Sequence, residues 1–513
     1  MRRVLPEARP AQPAHRAHRA CLLGALALVL VLIVGAGREA LAANGPALST
    51  IGAKGPVSIP VDGDAMTAYR MPSSIGWALD NKAELDLFLF FSRTTLKNNL
   101  NDASSTGTTP GGNLGFIFAP GRPDFDENPD AWDTYSDAGK FTFHVGEYVE
   151  LAGGGSGTPT RSTAFPGGVE TGTGITFLTT AISVAYTPTE WLSIGVAAHI
   201  IYASLDVKTL VGGDSTGSLD GSPEIAGVPL PGNPTYADFL ELFSNSNASD
   251  PTTGFEMQTS SFQFTGVISI SLRPAPNFGI GIAYTPRSYA IPFEDEATID
   301  TTQTFNQAVG DLDPAIQDLF FDTLPNDGTQ GFESKYDTKI EGLRVPRRIR
   351  GNVVWWPIPE LLLSFEIAWV EWSRAFEKAN VTLRNGTNQD VNFVVGSRNV
   401  NSELTLRFSN QFIYSFYTAY AVNEYVTLRF GLNYGRSPLN VDETGNSPSA
   451  GFVDINVSTG VGFRYDRFEV NLLTIYGVRN RVSTGNEPDS LTAKNSDYTS
   501  EQLLVHLGFG VRF

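Results

Sequence analysis

The chain has 513 residues, 41% of them hydrophobic, and carries 54 acidic against 36 basic groups, a formal net charge of −18. That excess of carboxylates argues against a nucleic-acid-binding protein, and a single cysteine, Cys21, excludes a disulfide framework. The length suits either roughly two to four ordinary domains or one large β-barrel.

Residues 1–42 read as a secretory signal. Arg2, Arg3, Arg9, Arg16 and Arg19 precede an apolar run from Leu22 to Val34, and Ala40-Leu41-Ala42 supplies a small-residue cleavage site. The remainder would hold 30 basic and 52 acidic groups, a net charge of −22, with no cysteine. Past Ala42 no apolar run is long enough for a transmembrane helix, so any membrane crossing must be made by strands.

Residues 43–82 are rich in Gly, Pro and small polar side chains without a sustained period, and are expected to form either a disordered leader or a compact plug. The first strand is Leu85 to about Leu96, with Leu85, Leu87, Leu89 and Phe91 on one face. Asn98–Gly112 reads as a polar loop. Weaker strands at Leu114–Ala119 and Lys140–Leu151 flank the acidic segment Arg122–Asp137, and Gly153–Gly172 reads as another loop. From Gly174 the alternation is regular. Strand pairs are expected at Gly174–Tyr186 with Trp191–Val207, Phe262–Leu272 with Phe278–Tyr284, Arg348–Trp356 with Leu361–Trp372, Phe412–Ala421 with Tyr425–Arg436, and Val453–Tyr465 with Phe468–Tyr476. The last strand alternates Leu503, Val505, Leu507, Phe509, Val511 and Phe513 against His506, Gly508, Gly510 and Arg512.

These are about fourteen strands, an even number, joined alternately by short turns and long loops. That asymmetry is expected of an all-β, antiparallel transmembrane barrel, whose outward face meets lipid and whose lumen is polar. Trp191, Trp355, Trp356, Trp369, Trp372 and Tyr425 are expected to form interfacial girdles. A soluble sandwich would place more Lys and Glu on its exposed strand faces.

Three stretches resemble the FadL-type outer-membrane transporters of long-chain fatty acids and aromatic hydrocarbons. They are Asp64-Ala65-Met66-Thr67-Ala68-Tyr69-Arg70-Met71-Pro72-Ser73, the strand–turn–strand from Val345-Pro346 to Trp372-Ser373, and Asn423–Tyr434 ahead of Ser437-Pro438. Thr179–Tyr202 and Phe262–Arg287 also fit, so the resemblance spans most of residues 60–513. It implies a fourteen-strand barrel over residues 83–513 whose lumen holds an N-terminal plug, 43–82. It also implies capture of a hydrophobic ligand in a groove of the outer loops and release sideways through the wall. Arg70, Met71 and Pro72 fall on the plug motif, where Met71-Pro72-Ser73 replaces the family's Asn-Pro-Ala.

The loops offer a candidate groove. Tyr236, Phe239, Leu240 and Phe243 recur at helical spacing, and Asp313-Pro314 starts a helix whose Ile316, Leu319, Phe320 and Leu324 form one apolar stripe. Two such helices either present an apolar groove or bury each other and seal the mouth. Arg348, Arg350, Asn352, Glu366, Arg429 and His199 are expected on lumenal faces. A carboxylate ligand requires a spare cation there and a neutral hydrocarbon requires none; long-chain fatty acids are the favoured ligand, with aromatic hydrocarbons the alternative.

Asp124, Asp126, Asn128 and Asp130 alternate as in a calcium loop, but the glycine and terminal glutamate such a loop needs are absent. No metal or other cofactor is expected. An enzyme is not expected either: only His144, His199 and His506 remain after processing, without a nucleophile-elbow or zinc motif. An outer-membrane lipid hydrolase and an adhesive barrel remain alternatives. The expected setting is the outer membrane, as a monomer surrounded by lipid, binding a hydrophobic small molecule but no nucleic acid. The strand ending at Phe513 would engage the barrel-assembly machinery.

Overall fold

The computed structural model describes residues 63–99, 101–119, 140–160, 169–212, 252–302 and, with short gaps, 309–438, 453–483 and 495–513, together with a small hairpin at 224–229. Among them, fourteen antiparallel strands close into a cylinder. These are β1 (Lys82–Lys97), β2 (Asp102–Phe118), β3 (Phe141–Thr160), β4 (Val169–Thr189), β5 (Leu192–Gly212), β6 (Thr252–Ala275) and β7 (Phe278–Thr285), then β8 (Arg347–Ile358), β9 (Leu361–Glu371), β10 (Gln411–Ala421), β11 (Val426–Tyr434), β12 (Ile455–Tyr465), β13 (Phe468–Ser483) and β14 (Asp497–Arg512). Each pairs with its sequence neighbour, and β14 pairs with β1 from Lys82↔Arg512 to Lys97↔Asp497, which closes the wall.

The period-two pattern sets the two faces. Leu87, Leu89, Ile182, Ile268, Ile282, Phe365, Phe430 and Phe463 are all exposed on the outside, where water would penalise so continuous an apolar belt and hydrocarbon does not. Their neighbours Ser193, Gln263, Ser269, Asn352, Ser415, Asn433 and Asn471 are buried inside. Among the described residues no helix is long and apolar enough to cross a membrane; the crossing is made by strands.

Short turns gather at the end where β1 begins and β14 finishes. One of them, Asp466-Arg467, places Asp466 at φ 53°, a left-handed conformation that Asp tolerates better than most residues. The acidic segment 122–137, including Asp124–Asp130, lies outside the described residues.

The structure departs from expectation in three places. First, the segment expected as a loop from Asn98 to Gly112 is mostly strand. β2 starts at Asp102 and the connection is a tight turn in which Asn98 Oδ1 accepts from the Asn101 amide. Likewise β3 and β4 extend into the stretch expected as a glycine-rich loop. Second, the outer connections build a further antiparallel sheet. Phe293–Asp300 pairs with the upper part of β6 and with Glu333–Glu341, which pairs with Lys378–Arg384, which pairs with Val400–Thr405. Its apolar side, Phe293, Ala297, Ile299, Tyr336 and Ile340, joins lumen-facing Phe177, Ile201 and Leu205 in one core. Third, Trp372 is not in a girdle. It is 4% exposed in that same core, donating from its indole N–H to Gln411 Oε1 at 3.2 Å. Trp356 likewise packs inward against Val354 and Tyr417, whereas Trp191, Trp355 and Tyr425 are exposed as girdle residues should be.

Candidate functional site: a lumenal segment, a charge cluster and a gap in the wall

Residues 63–78 lie inside the barrel, near the end with the short turns; residues 43–62 of the expected plug lie outside the described residues. A short helix, α1 (Ala65–Ala68), is started by Asp64, whose Oδ1 accepts from the Met66 amide at 2.7 Å. The Ala65 amide donates to Glu84 of β1 at 2.9 Å, and the Tyr148 hydroxyl of β3 donates to the Ala65 carbonyl at 2.7 Å. The Tyr69 ring lies between Tyr148 and His199, with centroid separations of 4.8 and 4.9 Å.

A 3₁₀ turn follows at Pro72–Trp77, anchored chiefly through Ser73. Its amide donates to Ser269 Oγ at 2.8 Å, its hydroxyl lies 2.7 Å from Ser271 Oγ, and its carbonyl accepts from Ser193 Oγ at 2.8 Å. The replacement of Asn-Pro-Ala by Met71-Pro72-Ser73 thus leaves the segment bound through serine hydroxyls. Met71, fully buried, packs on Val267 and Ala283. The close approach depends on glycine: a Cβ on Gly195 would run into the Pro72–Ser73 backbone.

At the level of Met71 stands a charge cluster. Arg350 is in register with Ala283, and Arg348 is two residues along the same face. Both are 6% exposed, and the Arg350 guanidinium lies 3.4 Å from Glu366 of β9. Arg70, 5% exposed, senses both Glu366 and Arg350; burial pulls its pKa down to about 10, so it stays charged near neutral pH. Arg70 and Arg350 therefore both lie within electrostatic reach of Glu366, with Arg348 next along the same face of β8. Arg429 faces Glu469 at 3.6 Å elsewhere on the wall. Of the three histidines expected to survive processing, all are buried inside. His144 meets Ser183 Oγ at 3.1 Å and Tyr148 at 2.7 Å within the lumen, not on the lipid-facing side a lipid hydrolase would need.

The wall is incomplete between β2 and β3. Their ladder runs only from Leu114↔Glu147 to Phe118↔Phe143, although both strands continue upward. Above it, β3 is bulged between Val149 and Leu151, and the Val149 amide donates to Asn113 Oδ1 at 3.0 Å in place of a ladder bond. β2 carries Pro110 here, a residue with no N–H to donate and therefore suited to an edge. Just inside lie Phe90, Val149, Leu473, Ile475 and Leu504, with Phe88 and Leu178 against them. The sequence signals for this gap were Pro110 and the unusually apolar inward pair Phe88 and Phe90.

Above the barrel, Pro314–Asp322 forms the expected helix, α2, with the Asp313 side chain accepting from the Ala315 amide at 3.0 Å. Its stripe packs on a second helix, α3 (Gln389–Val395): Phe320, Leu324, Val391 and Val394 are buried together, with Ile316 and Leu319 half-buried at the edge. Tyr236, Phe239, Leu240 and Phe243, expected as the partner helix, lie outside the described residues.

The fold is similar to solved outer-membrane transporters. The Pseudomonas putida toluene transporter TodX aligns at TM-score 0.64 and 15% identity over 91% of this chain and 99% of that one. The Ralstonia pickettii toluene transporter TbuX aligns at 0.61 and 15% over the same shares, and a Pseudomonas aeruginosa FadL homologue at 0.59 and 13% over 90% and 96%. No curated protein resembles the chain in sequence closely enough to count as a relative. The family described as outer membrane protein transport protein (OMPP1/FadL/TodX) matches residues 139–497, most of the chain. With that match and a closed fourteen-strand wall, the chain belongs to this family of outer-membrane transporters of hydrophobic molecules.

Proposed function

We propose that the protein admits long-chain fatty acids to the cell by passive diffusion, with residues 63–78 as a plug and the β2–β3 gap as the way out. The observation that carries this reading is the buried group of Arg70, Arg350 and Glu366 at the tip of the lumenal segment, with Arg348 beside it on the same strand face. Guanidinium groups at this level of the lumen suit a carboxylate, which Arg binds through two parallel hydrogen bonds. The alkyl tail needs no specific group: each buried methylene contributes about 0.8 kcal/mol. An anion arriving beside Arg350 competes for the charges that surround Met71 and Arg70, which couples ligand arrival to the plug. The α2–α3 edge, where Ile316 and Leu319 stay half-buried, is the proposed capture surface.

Uptake of radiolabelled oleate and toluene by cells expressing the protein tests the reading. An Arg348→Met, Arg350→Met variant is expected to slow oleate about tenfold or more and to leave toluene unchanged, as loss of a charge-assisted hydrogen bond requires. The competing reading is a neutral aromatic cargo, favoured by the apolar cluster of Phe90, Val149, Leu473, Ile475 and Leu504 just inside the gap. Rapid toluene uptake without oleate uptake would establish it instead.

A further inference from the structure

Two strands from the wall gap, and bonded to its foot, stands a polar group that the route described so far does not use. His506 of β14 points inward between lipid-facing Val505 and Leu507, and only 1% of it is exposed. Its Nδ1 lies 2.9 Å from Asp86 Oδ2, and the same carboxylate oxygen accepts from Asn113 Nδ2 at 3.2 Å. Asn113 is the residue that also receives the Val149 amide at the foot of the gap. The imidazole is thus fixed by a chain of bonds that ends at the opening. Its other nitrogen, Nε2, is buried without a hydrogen-bond partner.

An unmet ring nitrogen held in this way is costly, because burial has taken its water away without supplying a partner. Its surroundings are those of an amphiphile's two ends. The Phe88 ring stacks obliquely on His506 at 5.4 Å, in the space left by Gly111, where an added Cβ would strike that ring. Leu473 sits opposite His506 on β13, and Phe90, Val149, Ile475 and Leu504 continue the apolar surface upward.

We propose that His506, oriented by Asp86, is the docking station for the carboxyl end of a ligand about to leave through the gap, with the tail lying along Phe90, Val149 and Leu504. The proposal rests on the fatty-acid reading and adds a second station to it, after the arginine cluster. Asp86 accepts from Nδ1–H, so Nε2 is the atom that shares a proton with the carboxyl group. Phe88, half-buried over the ring, is the side chain that must turn aside.

The test is a His506→Asn variant, whose amide can keep a donor toward Asp86 while deleting Nε2, compared with wild type for uptake of oleate, methyl oleate and toluene. Heat-modified migration on gels confirms that the barrel is folded. The expected result is about a tenfold loss for oleate, the weight of one hydrogen bond to a charged group, with methyl oleate and toluene unchanged. Wild-type oleate uptake by the variant would overturn the station and leave the fatty-acid reading standing. Equal losses for all three probes would also overturn it, by making the His506–Asp86 pair purely structural. A wild-type protein that passes toluene but no oleate would overturn both readings.

Discussion

The tightest test of how the lumenal segment is held is a single methyl group at Gly195. An alanine Cβ there would collide with the Ser73 amide nitrogen and the Pro72 carbonyl carbon, and would stand 2.7 Å from Ser73 Cα, where backbone cannot give way locally. The segment must lift off β5, and Ser73 then loses its bonds to Ser193, Ser269 and Ser271. At about 1 kcal/mol each, three such bonds amount to about 3 kcal/mol, a shift of roughly a hundredfold toward the undocked state. Ion conductance of the purified protein in planar bilayers reads this directly: Gly195→Ala should open frequently where wild type is closed. Gly351→Ala, whose new methyl meets nothing within 4 Å, is the matched control and should behave as wild type. A Gly195→Ala channel as quiet as wild type would refute the claim that these contacts hold the lumen shut.

Two further outcomes are expected. Phe320→Ala should cost the outer helix pair about 3–5 kcal/mol, because the ring is fully buried between α2 and α3; limited proteolysis should then cut the 310–330 region while the barrel stays intact on gels. Asn113→Ala strands the Val149 amide and one bond to Asp86, a loss of about 1–3 kcal/mol that should lower the temperature of heat-modified migration and, if the gap is the exit, change oleate flux without altering ion conductance.

The wall was legible because bilayer and lumen impose opposite chemistries on alternate residues, and each of the fourteen strands contains most of the stretch its alternation marked, although β2, β3 and β4 run well beyond it. What the pattern hid has a physical reason in each case. The upper half of β2 lies beside the gap and above the apolar belt, so its Ser, Thr and Gly never had to alternate. The outer sheet stands in water, where strands such as Glu333–Glu341 carry Lys, Asp and Glu on one side and so resemble loop. Helix α3 did leave a signal: Asn388 caps it and Gly396, at φ 74°, ends it. The inward placement of Arg348, Arg350, Glu366, Arg429 and His199 followed from register alone. That Arg70 reaches the same cluster, or that Asp86 meets His506, did not, since no local pattern relates residues 280 or 420 positions apart.

The unequal seams have a mechanical consequence. The barrel's first and last strands are sewn together by sixteen residue pairs between β1 and β14, whereas β2 and β3 share five. Pulled or heated, the cylinder should tear within the chain before it parts at its own ends. The terminal strands would then stay joined on one side of the rupture, so that one of the barrel's shortest seams is also the one through which cargo is proposed to leave.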